Sequence, residues 1–440
     1  MSLKRSVALL RDVSYRNLFV GRTVSTLGNA ISPVALAFGI LEVTKSAAAL
    51  GLVLACAIVP QGVFLLVGGV IADRLPRRNI MVWSNVLSAL SQGAIAFLLA
   101  VDAAQLWELA TLSAISGTAA AFFGPASQGV LPQVVDRSAI HGANALLRLA
   151  QNSARIVGPA IAGVIVVTAG PSAAIAIDSA TFVASSYCMM RLRVPLPRRV
   201  ETRFVRDLVN GWHEFWSYGW LWTIVLQYSL VNMAWACGFQ TLGPVVISQA
   251  EGGAGLWGAA MSCLAAGLLL GAPIVLYWRP RRPLLAACAG TVLKTLPLLA
   301  LAFSPSVFTI GIATLLAGVG TEIFVVNFSA VMQERIPEEK LSRVSSYDIL
   351  FGLALTPVGN IAAGPLLDVL DTRRALLLLS AVIVVSTGLV AVRRSVIAIV
   401  RPSHQTAALN SQSTPPTPAE HRSVAGPPEG RAAEAGSPST

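Results

Sequence analysis

Charge is what this chain has least of. Only 12% of its 440 residues are Asp, Glu, Lys or Arg, about half the share of roughly 25% usual in a soluble domain. A water-facing surface cannot be covered with so little, which excludes an ordinary soluble globular protein. Histidine is scarce too. The four present (His141, His213, His404, His421) fall between or beyond the apolar runs, and no HExxH spacing occurs, so no hydrolytic metal motif exists. Neither a G-x-S-x-G elbow nor a carboxylate dyad is found. None of the four lysines (Lys4, Lys45, Lys294, Lys340) follows a glycine, so there is no phosphate-binding loop and no ATP drive. The five cysteines (Cys56, Cys188, Cys237, Cys263, Cys288) sit singly inside apolar runs and read as small packing residues, not as a disulfide or metal set. An enzyme, a cofactor and a metal site are therefore not expected.

Hydrophobic residues, 55% of the chain, are what is there in excess. They gather into runs of the length that crosses a bilayer as a helix, about 20 residues. Spans are expected at 18–41, 47–71, 79–101, 106–127, 143–168, 171–191, 221–248, 255–277, 284–303, 306–328, 347–369 and 375–393. That is an all-α integral membrane protein with twelve transmembrane helices. The first run is too long for a signal-peptide core, so it is expected to stay as a helix.

The net charge of +11 does not point to nucleic acid, because the basic residues stand in short clusters between apolar runs. Segments on one side, counted with Arg191 and Arg393 at the span ends, hold 25 Lys and Arg, whereas those on the other hold three, Lys45, Arg373 and Arg374. The positive side of a membrane protein is the cytoplasmic one. Both termini are thus expected in the cytoplasm, with the chain in the plasma membrane.

The halves echo each other at an offset near 204. "VLPQVVDRSAIHGANALL" (130–147) leads to "GPAIAG" (158–163), and "RIPEEKLSRVSSYDIL" (335–350) leads to "GNIAAGP" (359–365). At the same offset Arg77 and Arg78 fall on Arg281 and Arg282, whereas Tyr277 and Trp278 stand in place of Asp73 and Arg74. Two six-helix halves related by a parallel repeat follow. They divide as 1–191 and 221–394, with a cytoplasmic linker at 192–220 and a tail at 395–440. In the linker, Val205, Leu208, Val209, Trp212, Phe215 and Trp216 have helical spacing, which suits an amphipathic helix on the inner membrane face. The Pro-, Ser- and Ala-rich tail has no apolar periodicity and is expected to be disordered.

Polar groups inside the spans are costly and are kept where they pair or face a cavity. On helix 1, Arg22, Ser25, Asn29 and Ser32 form one polar stripe; on helix 7, Tyr228, Asn232, Trp235 and Phe239 form an aromatic–amide face. That face suits an amphiphilic ligand or ordinary interhelical packing. Arg148 and Arg155 lie on helix 5, Asp178 on helix 6, Lys294 on helix 9 and Glu322 on helix 10. Glu322 reads as a proton or cation carrier, a fixed countercharge for a basic substrate, or half of a structural pair. Asp178 and Arg155 are expected to pair, and Lys294 to lie at a cavity rim or reach for the membrane surface.

"GGVIADRLPRR" (68–78), "FFGPASQGVLPQVV", "ANALLRLAQNSARIVGPAIAG" and "MQERIPEEKLSRVSSYD" together resemble the major facilitator superfamily, in the branch that holds enterobactin exporters and macrolide-efflux proteins. The resemblance covers about residues 15–395. It implies alternating access, with helices 1, 4, 7 and 10 around a central cavity, which puts Arg22, Asn29, Tyr228, Asn232, Trp235 and Glu322 on its wall. It also implies a gate between helices 2 and 3 formed by Gly69, Asp73, Arg74, Arg77 and Arg78, although Pro76 stands where the family has Gly. A positive-inside anchor would account for the arginines of this stretch, but not for Gly69 or Asp73. Arg155 with Gly158, Pro159 and Gly163 resembles the helix 5 feature of family exporters, although the longer glycine series of that feature is missing. Helix 4 lacks the buried Arg that many proton-coupled antiporters carry. The expectation is a monomeric secondary-active transporter that exports amphiphilic small molecules (a drug, siderophore or secondary metabolite), with protons as the candidate coupling ion. The competing readings are an importer of a small nutrient and a non-transporting membrane receptor.

Overall fold

A computed structural model describes residues 9–136, 139–192, 212–249, 252–278, 280–303 and 306–400, with the side chains of 65–74, 276, 338–339, 342–343 and 346 outside the description. Among these residues eleven helices are long and apolar enough to cross a membrane. The first four are α1 (Val13–Thr44), α2 (Ala47–Arg74), α3 (Arg77–Ala100) and α4 (Leu106–Val134). Asp12 opens α1 by accepting the Tyr15 amide at 2.8 Å, which satisfies one of the unpaired donors of a helix start.

The fifth, α5 (Ile140–Met190), has 51 residues. At 1.5 Å per residue that is about 77 Å, more than twice a hydrocarbon core. It is in fact two spans. Gly170 has φ 84° and ψ 166°, a conformation open essentially to glycine alone, and Pro171 follows it. The Tyr15 hydroxyl donates to the Ala143 carbonyl at 2.9 Å and Gly158 packs on Ala30, so the first limb runs parallel to α1. Beyond the break, Pro171 lies against Gly39 and Met189 against Gly21, so the second limb runs back. Twelve spans result.

In the second half, α6 (Gly219–Trp235) continues through a π-helical turn (Ala236–Thr241) into α7 (Leu242–Ile247), together one span. Next come α8 (Gly253–Tyr277), then α9 (Pro283–Val292) and α10 (Thr295–Phe303) as one interrupted span, and α11 (Val307–Arg335). The chain ends with α12 (Glu338–Ala354), α13 (Thr356–Val369), α14 (Thr372–Ala391) and the turn α15 (Arg394–Ile397). An offset of about 204 carries the starts of α2, α3 and α4 to within three residues of the starts of α8, α9 and α11.

Among the described residues the two halves share a core at one end. One cluster of buried side chains includes Ile40, Leu50 and Val166 from the first half with Phe239, Trp257 and Ala363 from the second. At the other end the clusters are separate: one holds Tyr15, Leu18, Met81 and Val130, the other Phe215, Leu221, Phe328 and Val344. In the sealed seam backbones touch. A Cβ on Gly51 would overlap the Asn360 carbonyl, and one on Gly258 the Pro159 carbonyl. Small residues let helices approach this closely where the hydrophobic effect cannot drive association.

Of the expected linker, only Leu192 and the residues from Trp212 on are described, so Val205, Leu208 and Val209 lie outside. Residues 212–217 are helical. Phe215 is buried and stacks on Phe351 of α12 (5.4 Å between centroids), and Trp212 also reaches Phe351. The turn α15 (Arg394–Ile397), with Val396 buried, runs into the first residues of the expected tail, so the tail starts as helix and not as disordered chain; from 401 on it lies outside the described residues.

Candidate functional site

Two of the cavities among the described residues bear on the bundle's interior. The first, of about 430 Å³, is lined by α1, α4 and the first limb of α5 and opens at the unsealed end. Three arginines line it, Arg22, Arg148 and Arg155, with the amides Gln128, Asn144, Gln151 and Asn152. On α5 the lining positions 144, 148, 151, 152 and 155 recur at helical spacing, so one helix face supplies most of the wall. The second cavity, of about 380 Å³, lies between the halves. Its wall is mostly apolar, with Ile58, Val59 and Val63 from α2, Ile349, Leu350 and Leu353 from α12, and Gln240. The π-helical turn aims Gln240 at this space and lets Thr241 donate to the Asn360 side-chain oxygen at 3.2 Å.

The helix 1 stripe divides in two. At about 100° per residue, positions 22 and 29 lie roughly 20° apart, while 25 and 32 lie roughly 60–80° from 22. Arg22 accordingly lines the first cavity and Asn29 is exposed, whereas Ser25 and Ser32 are buried. Ser32 accepts from Gln92 of α3 at 3.0 Å.

Tyr228, Asn232 and Trp235 do come together, but around a side chain of the protein itself. Lys294, in the break between α9 and α10, is only 5% exposed, so it is neither a rim residue nor one reaching for the surface. Its ammonium donates to the Asn232 side-chain oxygen at 3.2 Å and lies 4.8 Å from the Tyr228 ring centroid and 5.4 Å from that of Trp235. Tyr228 is stacked on Phe324 (4.0 Å, 9°) and Trp235 on Phe239 (4.3 Å). None of the three faces either cavity.

The expected pair of Asp178 and Arg155 is absent: no ion pair joins them. Arg155 faces the first cavity, while Asp178 is fully buried against Gly28 of α1 and does not line that cavity. The Ser32 and Thr181 hydroxyls lie beside its carboxyl, yet neither meets hydrogen-bond geometry; the Thr181 hydroxyl donates to the Asp178 backbone carbonyl instead, at 2.7 Å. Glu322 is half-buried and turned to α8, where its Cβ and Cγ pack against Gly271. It lines neither cavity.

In the "GGVIADRLPRR" stretch, α2 runs through Gly69, Asp73 and Arg74 as helix, but their side chains lie outside the described residues. Arg77 donates to the Gly129 carbonyl of α4 at 2.5 Å, so it is more than an orientation signal. Arg78 is exposed. The exporter-like segment on α5 lies where helices touch, with Gly158 on α1 and Pro159 and Gly163 on α8.

Arg148 and its amide neighbours stand at helical spacing in the sequence, and weighing each charge singly hides the face that they share.

Residues 18–354 match the sequence profile of the Major Facilitator Superfamily. The chain is 27% identical over 379 residues to the multidrug efflux pump Tap of Mycolicibacterium fortuitum, covering 82% of this chain and 91% of that protein. It is 25% identical over 373 residues to macrolide efflux protein A of Streptococcus pyogenes, covering 81% and 90%. Among solved structures, the nucleoside transporter NupG superposes with a TM-score of 0.69 at 10% identity, covering 86% of this chain and 98% of that one. A bacterial homologue of the iron transporter ferroportin, in an inward-facing state, gives 0.64 at 16%, covering 89% and 100%.

Proposed function

This chain belongs to the Major Facilitator Superfamily, and on that premise we propose that it exports amphiphilic small molecules from the cytoplasm by alternating access. It is a multi-pass membrane transporter, not an enzyme. Export is supported by the two efflux relatives, each matched over about nine-tenths of its length. The observation that carries the mechanism is the pattern of clusters: one core shared by both halves at one end, and two separate cores at the other. A rocking transporter needs such asymmetry, because each state must break one seam and make the other.

The excess of basic residues on the side of both termini supports a cytoplasmic position for the open end. The described state is then inward-open and ready to load. An apolar cavity and a basic, amide-lined one suit a substrate with both characters, since a few polar groups on an apolar wall orient a ligand without narrowing its shape. The gate contacts at Asp73, Arg74 and Arg77 would form under the second half in the opposite state.

Protons are the proposed coupling ion. Asp178 and Glu322 are two acids placed inside the bundle without an ion pair among the described residues, and each is a site where proton binding can bias one state. The reading is tested by accumulation of a labelled panel of amphiphiles in cells with and without the gene, each with and without a protonophore. Accumulation is expected to rise when the gene is deleted and when the protonophore is added to cells that carry it. Lower accumulation on deletion would overturn export. Unchanged efflux under protonophore would overturn proton coupling alone.

A further inference from the structure

The basic cavity holds positive charge that no described residue neutralises. Arg22, Arg148 and Arg155 share about 430 Å³, and no carboxylate among the described residues lines that space. Among the described residues none of the three makes an ion pair. Arg148 is close enough to act on Arg22 as a like charge, and the Arg22 Nε is buried with no hydrogen-bond partner. Arg148 and Arg155 are exposed at the open mouth of the cavity, where solvent screens their charge, whereas Arg22 is half-buried and feels the repulsion most. The other wall groups, Gln128, Asn144, Gln151 and Asn152, can donate hydrogen bonds but bring no negative charge. Unpaired guanidinium donors beside side-chain amides form an anion site, because the planar fork of Arg matches a carboxylate, sulfonate or phosphate with two parallel bonds.

We propose that this cavity takes the acidic group of the transported molecule, so that the substrate class is the anionic amphiphile, with a carboxylate, sulfonate or phosphate held among Arg22, Arg148 and Arg155. The assignment rests on the export reading above and narrows it. Binding the anion removes the mutual repulsion of the three arginines, so the loaded cavity can close more easily than the empty one. An anionic phospholipid headgroup offers the same chemistry, and the test must separate it from a free substrate.

The experiment uses the purified full chain in nanodiscs of phosphatidylcholine. Three fluorescent compounds on one ring system are titrated: 9-anthracenecarboxylate, its methyl ester, and 9-(aminomethyl)anthracene. The acid is expected to bind at least about tenfold more tightly than the ester or the amine, the worth of one charge-assisted bond. In Arg148→Gln and Arg155→Gln that preference should collapse toward one. Arg148→Lys, which keeps the charge, should restore part of it, and gel filtration should show each variant monodisperse. Equal binding of acid and ester, or a preference that survives Arg148→Gln, would overturn the anion site. Repeating the titration with phosphatidylglycerol in the nanodisc separates the sources. Lost binding of the acid would assign the cavity to a lipid headgroup and overturn the substrate assignment. In inside-out vesicles, transport of the ester or amine but not the acid would leave export standing and sink the anion proposal. Binding of the acid with transport of none of the three would keep an anion site but overturn its assignment to the transported molecule.

Discussion

Lys294 brings a positive charge into the second half and is held there by rings and an amide rather than by a carboxylate. Each cation–π contact is worth on the order of 0.5–2 kcal/mol, whereas burying an ammonium costs several. Lys294→Met should therefore raise the melting temperature of the purified protein by about 2–4 °C, a gain of roughly 1 kcal/mol. Asn232→Ala has the opposite sign. It removes the acceptor at 3.2 Å from the ammonium and the donor to the Gly352 carbonyl at 2.9 Å, and it should cost about 1–3 kcal/mol. If thermal unfolding shows both variants destabilised, Lys294 is a net stabilising contact and its rings more than offset its burial. The sequence did show that Tyr228, Asn232 and Trp235 share a face. It could not show that Lys294 fills that face, because the lysine comes from a distant helix and depends on a break between α9 and α10 for its direction.

At the scale of elements, the apolar runs were readable because a bilayer fixes their length, and the turn inside α5 was marked by Gly170 and Pro171. The internal breaks were not readable. The π-helical turn at Ala236–Thr241, the stop at Leu293–Lys294 and the kink at Leu355 lie in sequence that is apolar on both sides, and packing across the bundle decides them. Helical spacing alone likewise merged the helix 1 stripe, whose serines are buried, with Ser32 on Gln92, while its arginine faces a cavity. The Gly170 turn carries a clean prediction, since a Cβ there would meet nothing within 4 Å. Any loss in Gly170→Ala is then backbone strain, on the order of 1–3 kcal/mol. Gly388→Ala, in α14 and equally free of neighbours, should instead gain up to about 1 kcal/mol from helix propensity. Thermal unfolding of the two variants side by side checks the contrast, and equal behaviour would remove the special role of Gly170.

The whole molecule is a pair of six-span bodies closed at one end by backbone contact, and this makes its state a matter of a few glycines. Gly258 allows α8 to touch Pro159 of α5, and Gly51 allows α2 to touch Asn360 of α13. A larger side chain at Gly258 would have to push carbonyl-bearing backbone, so Gly258→Val should destabilise the sealed seam and shift the population toward the opposite state. Two single thiols read this shift in a chain whose native cysteines have been replaced. Gln151→Cys places one in the basic cavity, and Ala49→Cys places one in the shared core, where Ala49 is 5% exposed. With the glycines intact, a membrane-impermeant maleimide should label the Gln151→Cys thiol in inside-out vesicles and not in whole cells, and it should leave the Ala49→Cys thiol untouched from either side. Adding Gly258→Val should slow the first reaction and open the second to reagent from outside. Labelling of the Gln151→Cys thiol from the outside would reverse the orientation argued from the arginines. An Ala49→Cys thiol that stays protected after Gly258→Val would mean that the seam is held by the core around it and not by the close approach of α8 and α5.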